Sequence, residues 1–386
     1  MNFLGYRRQG GRVGTRNYVG IISTVVCANE VAKGIADKVS GAVAFTHQQG
    51  CCQTSPDLSR VTETLCGLGC NPNLAAVLLI GLGCEGTEMP AVQEAVAGCG
   101  KPVQTLFIQE LGGAAKTTAK GVLIAQEMAI QASRLQPQEC DASDIVLGLK
   151  CGSSDTTSGL AANPALGVVV EKLVAENAVV IMGEVTEFIG AEHILAAQAK
   201  DEATGRRILE LVERMENRAK AVGVDMRGGQ PTPGNIAGGL TTIEEKSLGA
   251  IAKAGSAVVQ DVYEYGQRPR VKGLVVMDSP GREPEILTGL AATGCNLITF
   301  TTGRGAPQGF PFVPVIKITG NEKTWRHLRD HMDLSVHQVM DGRESLGQAG
   351  TRIYEEIETV ASGTRTKAEI SGYVQAMDIY VTGPVI

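Results

Sequence analysis

Short runs of branched apolar residues alternate along the chain with segments whose apolar positions recur every three or four residues. The runs predict buried strands over 18–26, 42–45, 75–80, 103–108, 145–149, 178–182, 271–277, 297–300 and 315–318. The longer-period segments predict helices over 29–39, 57–65, 91–97, 113–135, 164–176, 192–199, 205–222, 283–293 and 347–360. Strands that alternate with helices imply parallel, doubly wound sheets. A polar stretch over 137–142 interrupts the pattern, which then restarts. We therefore expect two Rossmann-like α/β domains with mostly parallel sheets, an N-terminal one over 1–138 and a C-terminal one over 139–386. A polar, Pro/Gly-rich loop is expected over 227–239.

The residues able to do chemistry cluster where these strands end. Cys27 follows Val26, and Thr46-His47-Gln48-Gln49-Gly50-Cys51-Cys52 follows Phe45. Gly81-Leu82-Gly83-Cys84-Glu85 follows Ile80, and Lys150-Cys151-Gly152-Ser153-Ser154-Asp155 follows Leu149. Gly183-Glu184-Val185-Thr186-Glu187 follows Met182, and Thr301-Thr302-Gly303-Arg304-Gly305 follows Phe300. Open parallel sheets bind ligands beyond the carboxyl ends of their strands. The clusters thus point to one composite crevice. Ordinary polar turns would explain the glycines but not the recurring Cys, His, Glu, Asp and Arg.

His47 and Cys51 have ligand-like spacing, and Cys84 and Cys151 stand at other strand ends. Such a set suits a soft or borderline metal such as iron or zinc, or an iron–sulfur cluster with one open site. The plain alternative is a hydrogen-bonded loop histidine beside a buried cysteine. Cys66 and Cys70 read as packing residues, and Cys99, Cys140 and Cys295 have no evident partner. Ser153, Ser154 and Ser158 precede a helix start near Asn163, where hydroxyls and amide N–H groups suit an anion or a polyol. Glu184 and Glu187 can divide acid and base roles if their environments separate them, and are equally a solvated helix start. Arg304 can fork onto a carboxylate. Lys246 reads as a surface lysine at the start of a helix.

Composition narrows the function classes. The 386 residues are 43% hydrophobic and 20% charged, enough for two globular cores. The net charge of −6 argues against a nucleic-acid partner. No apolar run reaches the ~20 residues that span a bilayer, and no signal-peptide order stands at the start, so we expect a cytoplasmic protein without a membrane partner. Ten cysteines in that compartment are not expected to form disulfides. No GxGxxG follows a strand, and neither a GxxxxGK[ST] loop nor a GxSxG elbow is present.

Several of these runs together resemble the altronate/galactarate dehydratase family. They are Gly5-Tyr6-x-Arg8 with Gly11-Arg12-Val13-Gly14-Thr15-Arg16-Asn17, then His47-x-x-Gly50-Cys51, Asn71-Pro72-Asn73 and Gly81-Leu82-Gly83-Cys84-Glu85. Cys151-Gly152-x-Ser154-Asp155-x-x-Ser158-Gly159-x-x-Ala162-Asn163-Pro164-Ala165, Pro233-Gly234-Asn235, Lys246-Ser247-Leu248-Gly249, Met277-Asp278-x-Pro280-Gly281 and Phe300-Thr301-Thr302-Gly303-Arg304-Gly305 complete them in order. The chain departs from the pattern at Gln48-Gln49, Cys52 and Ser153.

The resemblance implies a lyase that dehydrates an altronate-type sugar acid to a 2-keto-3-deoxy sugar acid, with Fe2+ or Mn2+ and under reducing conditions. It also implies a separate small SAF-domain subunit, and we expect a homo-oligomer. In such a reaction a cation neutralises the substrate carboxylate as the C2 proton leaves. On this expectation His47, Cys51, Cys84 and Cys151 hold iron. Glu184, Glu187, Arg304 and Asp155 are catalytic, and Ser153, Ser154, Ser158, Asn235, Thr301 and Thr302 bind the hydroxy acid. Two other readings stand beside it: the large subunit of (2R)-sulfolactate sulfo-lyase, which expels sulfite, and a non-catalytic sugar-acid or metal-binding protein.

Overall fold

The computed structural model describes residues 1–229, 231–375, 377–384 and 386; Gln230, inside the expected 227–239 loop, lies outside the described residues. The chain opens with β1 (Asn2–Arg7) and β2 (Val13–Gly14), then lays down β3 (Tyr18–Ser23), β4 (Ala42–Phe45), β5 (Leu74–Gly81) and β6 (Val103–Phe107). After β7 (Gln138–Asp141) come β8 (Val146–Gly152), β9 (Val179–Met182), β10 (Val259–Tyr263) and β11 (Gly273–Met277). β12 (Leu297–Thr302), β13 (Val315–Thr319) and β14 (Leu334–Ser335) complete the strands.

Two parallel sheets result, as the alternation of strand and helix requires. The smaller has order β4-β3-β5-β6 and the larger β10-β11-β9-β8-β12-β13-β14. β8 lies where successive connections diverge, with β9 on one side and β12 on the other. That is the place where an open α/β sheet leaves a crevice. β3, β5, β8 and β12 are buried almost throughout because both their faces are covered.

The third sheet, β2-β1-β7, is antiparallel and was not expected. β7 is Gln-Glu-Cys-Asp with only Cys140 buried, so its residues read as a polar gap. Pairing with β1, whose Phe3 and Gly5 alternate inward, makes it a strand. The expected 227–239 loop contains two short helices, Met226–Gly229 and Pro233–Ala237, the second held by a Thr232–Asn235 capping box.

A common core joins the sheets. Ile22, Phe45 and Leu79 from the small sheet belong to the same buried cluster as Val275, Ile298 and Phe300 from the large one. Helix Ser55–Gly69 packs between them against helix Glu283–Ala292. A Cβ on Gly67 would lie 2.4 Å from the carbonyl oxygen of Ala292, so only glycine permits that approach. No described helix is long and apolar enough to cross a membrane.

Asn73 is a polar latch across this junction. Its amide nitrogen donates to the carbonyls of Asn296 (3.0 Å) and Phe312 (2.9 Å), and its oxygen accepts from Thr15 N at 2.8 Å. The residue is fully buried, so Asn73→Ala strands several polar groups away from water. We expect the substitution to cost about 2–4 kcal/mol in urea denaturation. A loss near zero would mean that the amide does not hold the halves together.

Candidate functional site

Five charged side chains meet under the carboxyl ends of β8 and β9, in the interior of the protein. Lys150 is on β8, and Glu184 follows β9 in a left-handed conformation with φ of +68°. Helix Ile243–Ile251 carries Lys246, and the turn Ala252–Ala254 that continues it carries Lys253. Helix Ile243–Ile251 lies close against the segment Ser158–Ala162 after β8 because Gly249 faces Gly159, where a Cβ on either would lie 3.0 Å from the other's Cα. Lys150, Lys253 and Glu184 are 1%, 0% and 0% exposed. At that depth, charges persist only when paired.

The pairing is close to complete. Glu184 Oε1 meets Lys150 Nζ at 2.5 Å, and its Oε2 accepts from Lys253 Nζ at 3.1 Å and from Cys151 N at 2.9 Å. Glu187 Oε2 lies 3.6 Å from Lys253 Nζ, and its Oε1 lies 3.7 Å from Lys246 Nζ. Three ammonium groups thus face two carboxylates, leaving one positive charge in excess. Burial would raise the Glu184 carboxyl, but Lys150 and Lys253 overcome it and hold the group below the usual carboxylate range. Burial raises Glu187, the charge on Glu184 raises it further, and the result lies above that range. The two carboxylates are pushed apart in the way that separates an ionised group from a proton carrier.

Above this cluster lies a cavity of about 280 Å³. Cys151, Ser154, Ser158, Asn163 and Lys246 line it. Cys151 Sγ lies 3.1 Å from Ser154 Oγ, and Asn163 Nδ2 points at the same sulfur from 3.6 Å. Thr301 Oγ1 donates to Asn163 Oδ1 at 2.6 Å and fixes the amide. Burial pushes the Cys151 thiol up, so it stands as a neutral thiol. Ser153, at the lip, takes φ of +48°, a second left-handed non-glycine residue beside Glu184. Such conformations cost energy and concentrate at functional sites.

Other expected site residues serve as supports. Asp155 accepts from Thr157 Oγ1 at 2.6 Å, Ser158 N at 3.1 Å and Asn321 Nδ2 at 2.7 Å. Its carboxylate is occupied by the loop it braces. Asn235 donates to the carbonyl of Ser154 at 2.9 Å and so holds the cavity wall. Thr302 Oγ1 accepts from the N–H groups of Gly305 and Ala306 and closes the turn after β12. Arg304 is exposed, with its backbone N–H on the carbonyl of Ser153 and its guanidinium on that of Gly234. It ties two loops of the rim together, while Ser153 is exposed beside it.

The expected metal set does not assemble. Cys151 has Glu187, Lys253 and Glu184 beside it, whereas Cys51 lies near Cys52, Cys27 and Cys84. His47 is fully buried, with Nε2 on the carbonyl of Ser23 at 2.9 Å and Nδ1 accepting from Gln49 N at 3.1 Å. Both ring nitrogens are committed, so neither has a lone pair left for a cation. Cys51 Sγ contacts Cys52 Sγ at 3.5 Å, and Cys84 accepts from Gln109 Nε2. Among the described residues no group of three or more His, Cys, Asp or Glu is placed to hold a metal ion. The donors expected to hold iron therefore do not fit it, and no step below runs through it.

His47 has a different consequence. Burial pushes its imidazole down to about 4 from an ordinary 6.5. The unfolded chain therefore takes up a proton below pH 6.5 that the folded chain refuses, and stability falls with pH over that interval. We expect about 2 kcal/mol less stability at pH 5 than at pH 7 from this residue. Urea denaturation at the two pH values should show the difference shrink in His47→Gln.

Lys150, Lys253 and Asn163 are not among the site residues the sequence predicts, and Lys246, which reads as a surface lysine, lines the cavity instead. A signal was present: Lys150 and Lys253 each stand alone in an otherwise apolar or small-residue run, Val-Leu-Gly-Leu-Lys-Cys-Gly and Ala-Ile-Ala-Lys-Ala-Gly.

Comparison with known proteins accounts for nearly the whole chain. Residues 5–133 match the family described as D-galactarate dehydratase/altronate hydrolase, second domain. Residues 142–383 match the family described as D-galactarate/altronate dehydratase, C-terminal. The chain is 38% identical to the (2R)-sulfolactate sulfo-lyase subunit beta of Chromohalobacter salexigens, over 96% of its own length and 95% of that subunit. It is 33% identical to the altronate dehydratase of Escherichia coli, over 94% of its length and 74% of the relative. It is 35% identical to the altronate dehydratase of Bacillus subtilis, over 84% and 66% respectively. The buried lysine–glutamate cluster and its cavity thus stand in a chain that belongs to the altronate/galactarate dehydratase family, and the protein is a lyase.

Proposed function

We propose that the chain is the large subunit of a lyase that eliminates a group from C3 of a small 2-hydroxy carboxylate, with (2R)-sulfolactate as substrate and sulfite as the leaving group. The excess positive charge beneath a small, hydroxyl-lined cavity carries the reading of an anionic hydroxy-acid substrate. The 38% identity to the sulfo-lyase subunit, against 32–35% for the dehydratases, favours sulfolactate over a sugar acid. The same relative's description as a subunit supports a separate small subunit as partner. The second reading, dehydration of an altronate-type sugar acid, rests on the same cluster and on the dehydratase relatives.

Lys246 is the cluster's ammonium group on the cavity wall, and Glu187 stands behind it. The raised carboxyl on Glu187 is suited to take up a proton handed over by Lys246. Lys246 accepts the C2 proton of the substrate as it passes one of its own to Glu187. Lys253 and the Lys150–Glu184 pair keep the surroundings positive as negative charge spreads onto the substrate carboxylate. The C3–leaving-group bond then breaks. A departing hydroxide takes the proton back as water, whereas sulfite leaves without needing it. The resulting enol tautomerises to the 2-keto acid. Iron enters this proposal on the family resemblance alone, with no ligands assigned, and activity that survives exhaustive chelation removes it.

The deciding experiment incubates the chain, with its candidate small subunit, with (2R)-sulfolactate, altronate and galactarate separately. Pyruvate and sulfite in equal amounts from sulfolactate are expected. A 2-keto-3-deoxy acid from a sugar acid, with sulfolactate untouched, would select the second reading. Turnover of none of the three would remove both.

A further inference from the structure

Away from the catalytic cavity, Cys70 and Cys99 close two neighbouring helices, Ser55–Gly69 and Met89–Gly98, at the residue after each. Their sulfurs lie 2.6 Å apart. That separation falls between a disulfide bond, about 2.05 Å, and an ordinary contact between sulfurs. Arg12 donates to the carbonyl of Cys70 at 2.7 Å and reaches the Cys99 thiol as well. Lys101 is buried close by, donating to the carbonyl of Gly69 at 3.0 Å and to that of Asn71. Burial alone would raise the Cys99 thiol, but the contact with Cys70 and the Arg12 guanidinium bring it below its ordinary value. Cys70 is pushed up to about 12, first by burial and then by Cys99. One member of the pair is thus set to be the attacking thiolate and the other to keep its proton.

The pair is accessible. Both thiols are half-buried and open onto a cavity of about 510 Å³ that Arg12, Arg268, Glu63 and Glu264 also line. Two guanidinium groups and two carboxylates there match a small peptide that carries both carboxylates and an ammonium group. We propose that Cys70 and Cys99 form a reversible disulfide and that the cavity beside them admits an oxidised peptide thiol of the glutathione class.

The step balances with that oxidant. The Cys99 thiolate attacks one sulfur of the peptide disulfide, forming a mixed disulfide and expelling one peptide thiolate. Cys70 then loses its proton and attacks the Cys99 sulfur, forming the intramolecular bond and expelling the second peptide thiolate. The protein dithiol is oxidised by two electrons and the peptide disulfide is reduced to two thiols. The new bond ties the ends of both helices next to Asn71, whose amide donates to the carbonyls of Ala291 and Cys295 in the large-sheet half.

The test exposes the whole chain to glutathione disulfide over a series of glutathione ratios, blocks free thiols, and maps the peptides by mass. A Cys70–Cys99 linked peptide is expected, half-formed at a disulfide fraction on the order of tenfold lower than adducts on the exposed Cys27, Cys52 and Cys84. Cys70→Ser should stop at a mixed disulfide on Cys99, and Cys99→Ser should leave Cys70 unmodified, with circular dichroism confirming that each variant is folded. Native chain whose exposed cysteines carry glutathione while Cys70 and Cys99 stay open to alkylation would overturn the proposal. So would an adduct on Cys70 in Cys99→Ser. The native-chain map decides the matter even if a variant fails to fold.

Discussion

Glu184→Gln is expected to lower stability by about 3–5 kcal/mol and to abolish most activity, although it changes no shape. Lys150 and Lys253 are shut away from water, and Glu184 is the carboxylate that both of them touch. A glutamine leaves both ammonium groups buried without their shared carboxylate, with Glu187 3.6 Å from Lys253 and no carboxylate in direct contact with Lys150 among the described residues. Removing one partner of a buried ionic group costs far more than the group contributes, because the survivors stay desolvated and unpaired. Replacing Lys150 as well separates this account from a loss of packing. Lys150 Nζ stands 5.1 Å over the ring of Phe300, so a methionine there fills the same apolar space. Lys150→Met in the Glu184→Gln background should therefore recover part of the lost stability, while activity stays low. Equal stability of native and Glu184→Gln chains in urea would show that the cluster is not charged as described. The pH dependence follows the same sign. Because Glu184 is held below its ordinary range, its stabilisation is present above the unfolded carboxylate range and is lost as pH falls through its lowered value.

The parts of this architecture that were legible are those in which local pattern and tertiary environment agree. β4 was predicted residue for residue, and β5 within one residue at each end, because strands covered on both faces are apolar throughout. β1, β7 and β10 were missed for the opposite reason. β10 carries Gln260 and Asp261, and β7 has one buried residue in four, so their strand state comes from pairing with another strand rather than from their own pattern. The site shows the same division. That Glu184 and Glu187 follow a strand was legible, as was the gathering of Ser154, Ser158 and Cys151 at another strand's end. That Lys150 is inside β8 was not, because the strand runs on to Gly152 past the apolar run that marks it. Lys253 is set in the cluster by close backbone approaches, Gly249 on Gly159 and Gly167 on the carbonyl of Ala252, which no local pattern encodes. Cys51 follows a strand of the small sheet and Cys151 lies in a strand of the large one, and strand-end position alone cannot say which ends share a crevice. The Cys70–Cys99 contact arises where two helix ends meet, and neither residue's surroundings in the sequence suggest the other.

Lys246 and Glu187 give the most direct test of the chemistry. Lys246→Met is expected to lower kcat/KM by roughly 10²–10⁴, the usual worth of a positioned acid–base group. Tm should move little, since Lys246 is at the cavity surface and Glu187 keeps Lys253 as a partner. The fall should lie mainly in kcat if the amine takes the C2 proton, and mainly in KM if it only attracts the carboxylate. Glu187→Gln separates the relay from simple charge. The active pair must carry one proton between Glu187 and Lys246, and a second proton disables it. Native activity should therefore fall as pH drops through the raised Glu187 carboxyl, above the usual carboxylate range. Without an ionisable group at 187 that acid limb should disappear from the kcat/KM profile while the overall rate stays low. A variant that keeps the native limb would assign the titration to another group and leave Glu187 only a structural neighbour of Lys253. The two substitutions act on one proton, so their combined loss should fall well short of the product of the single losses.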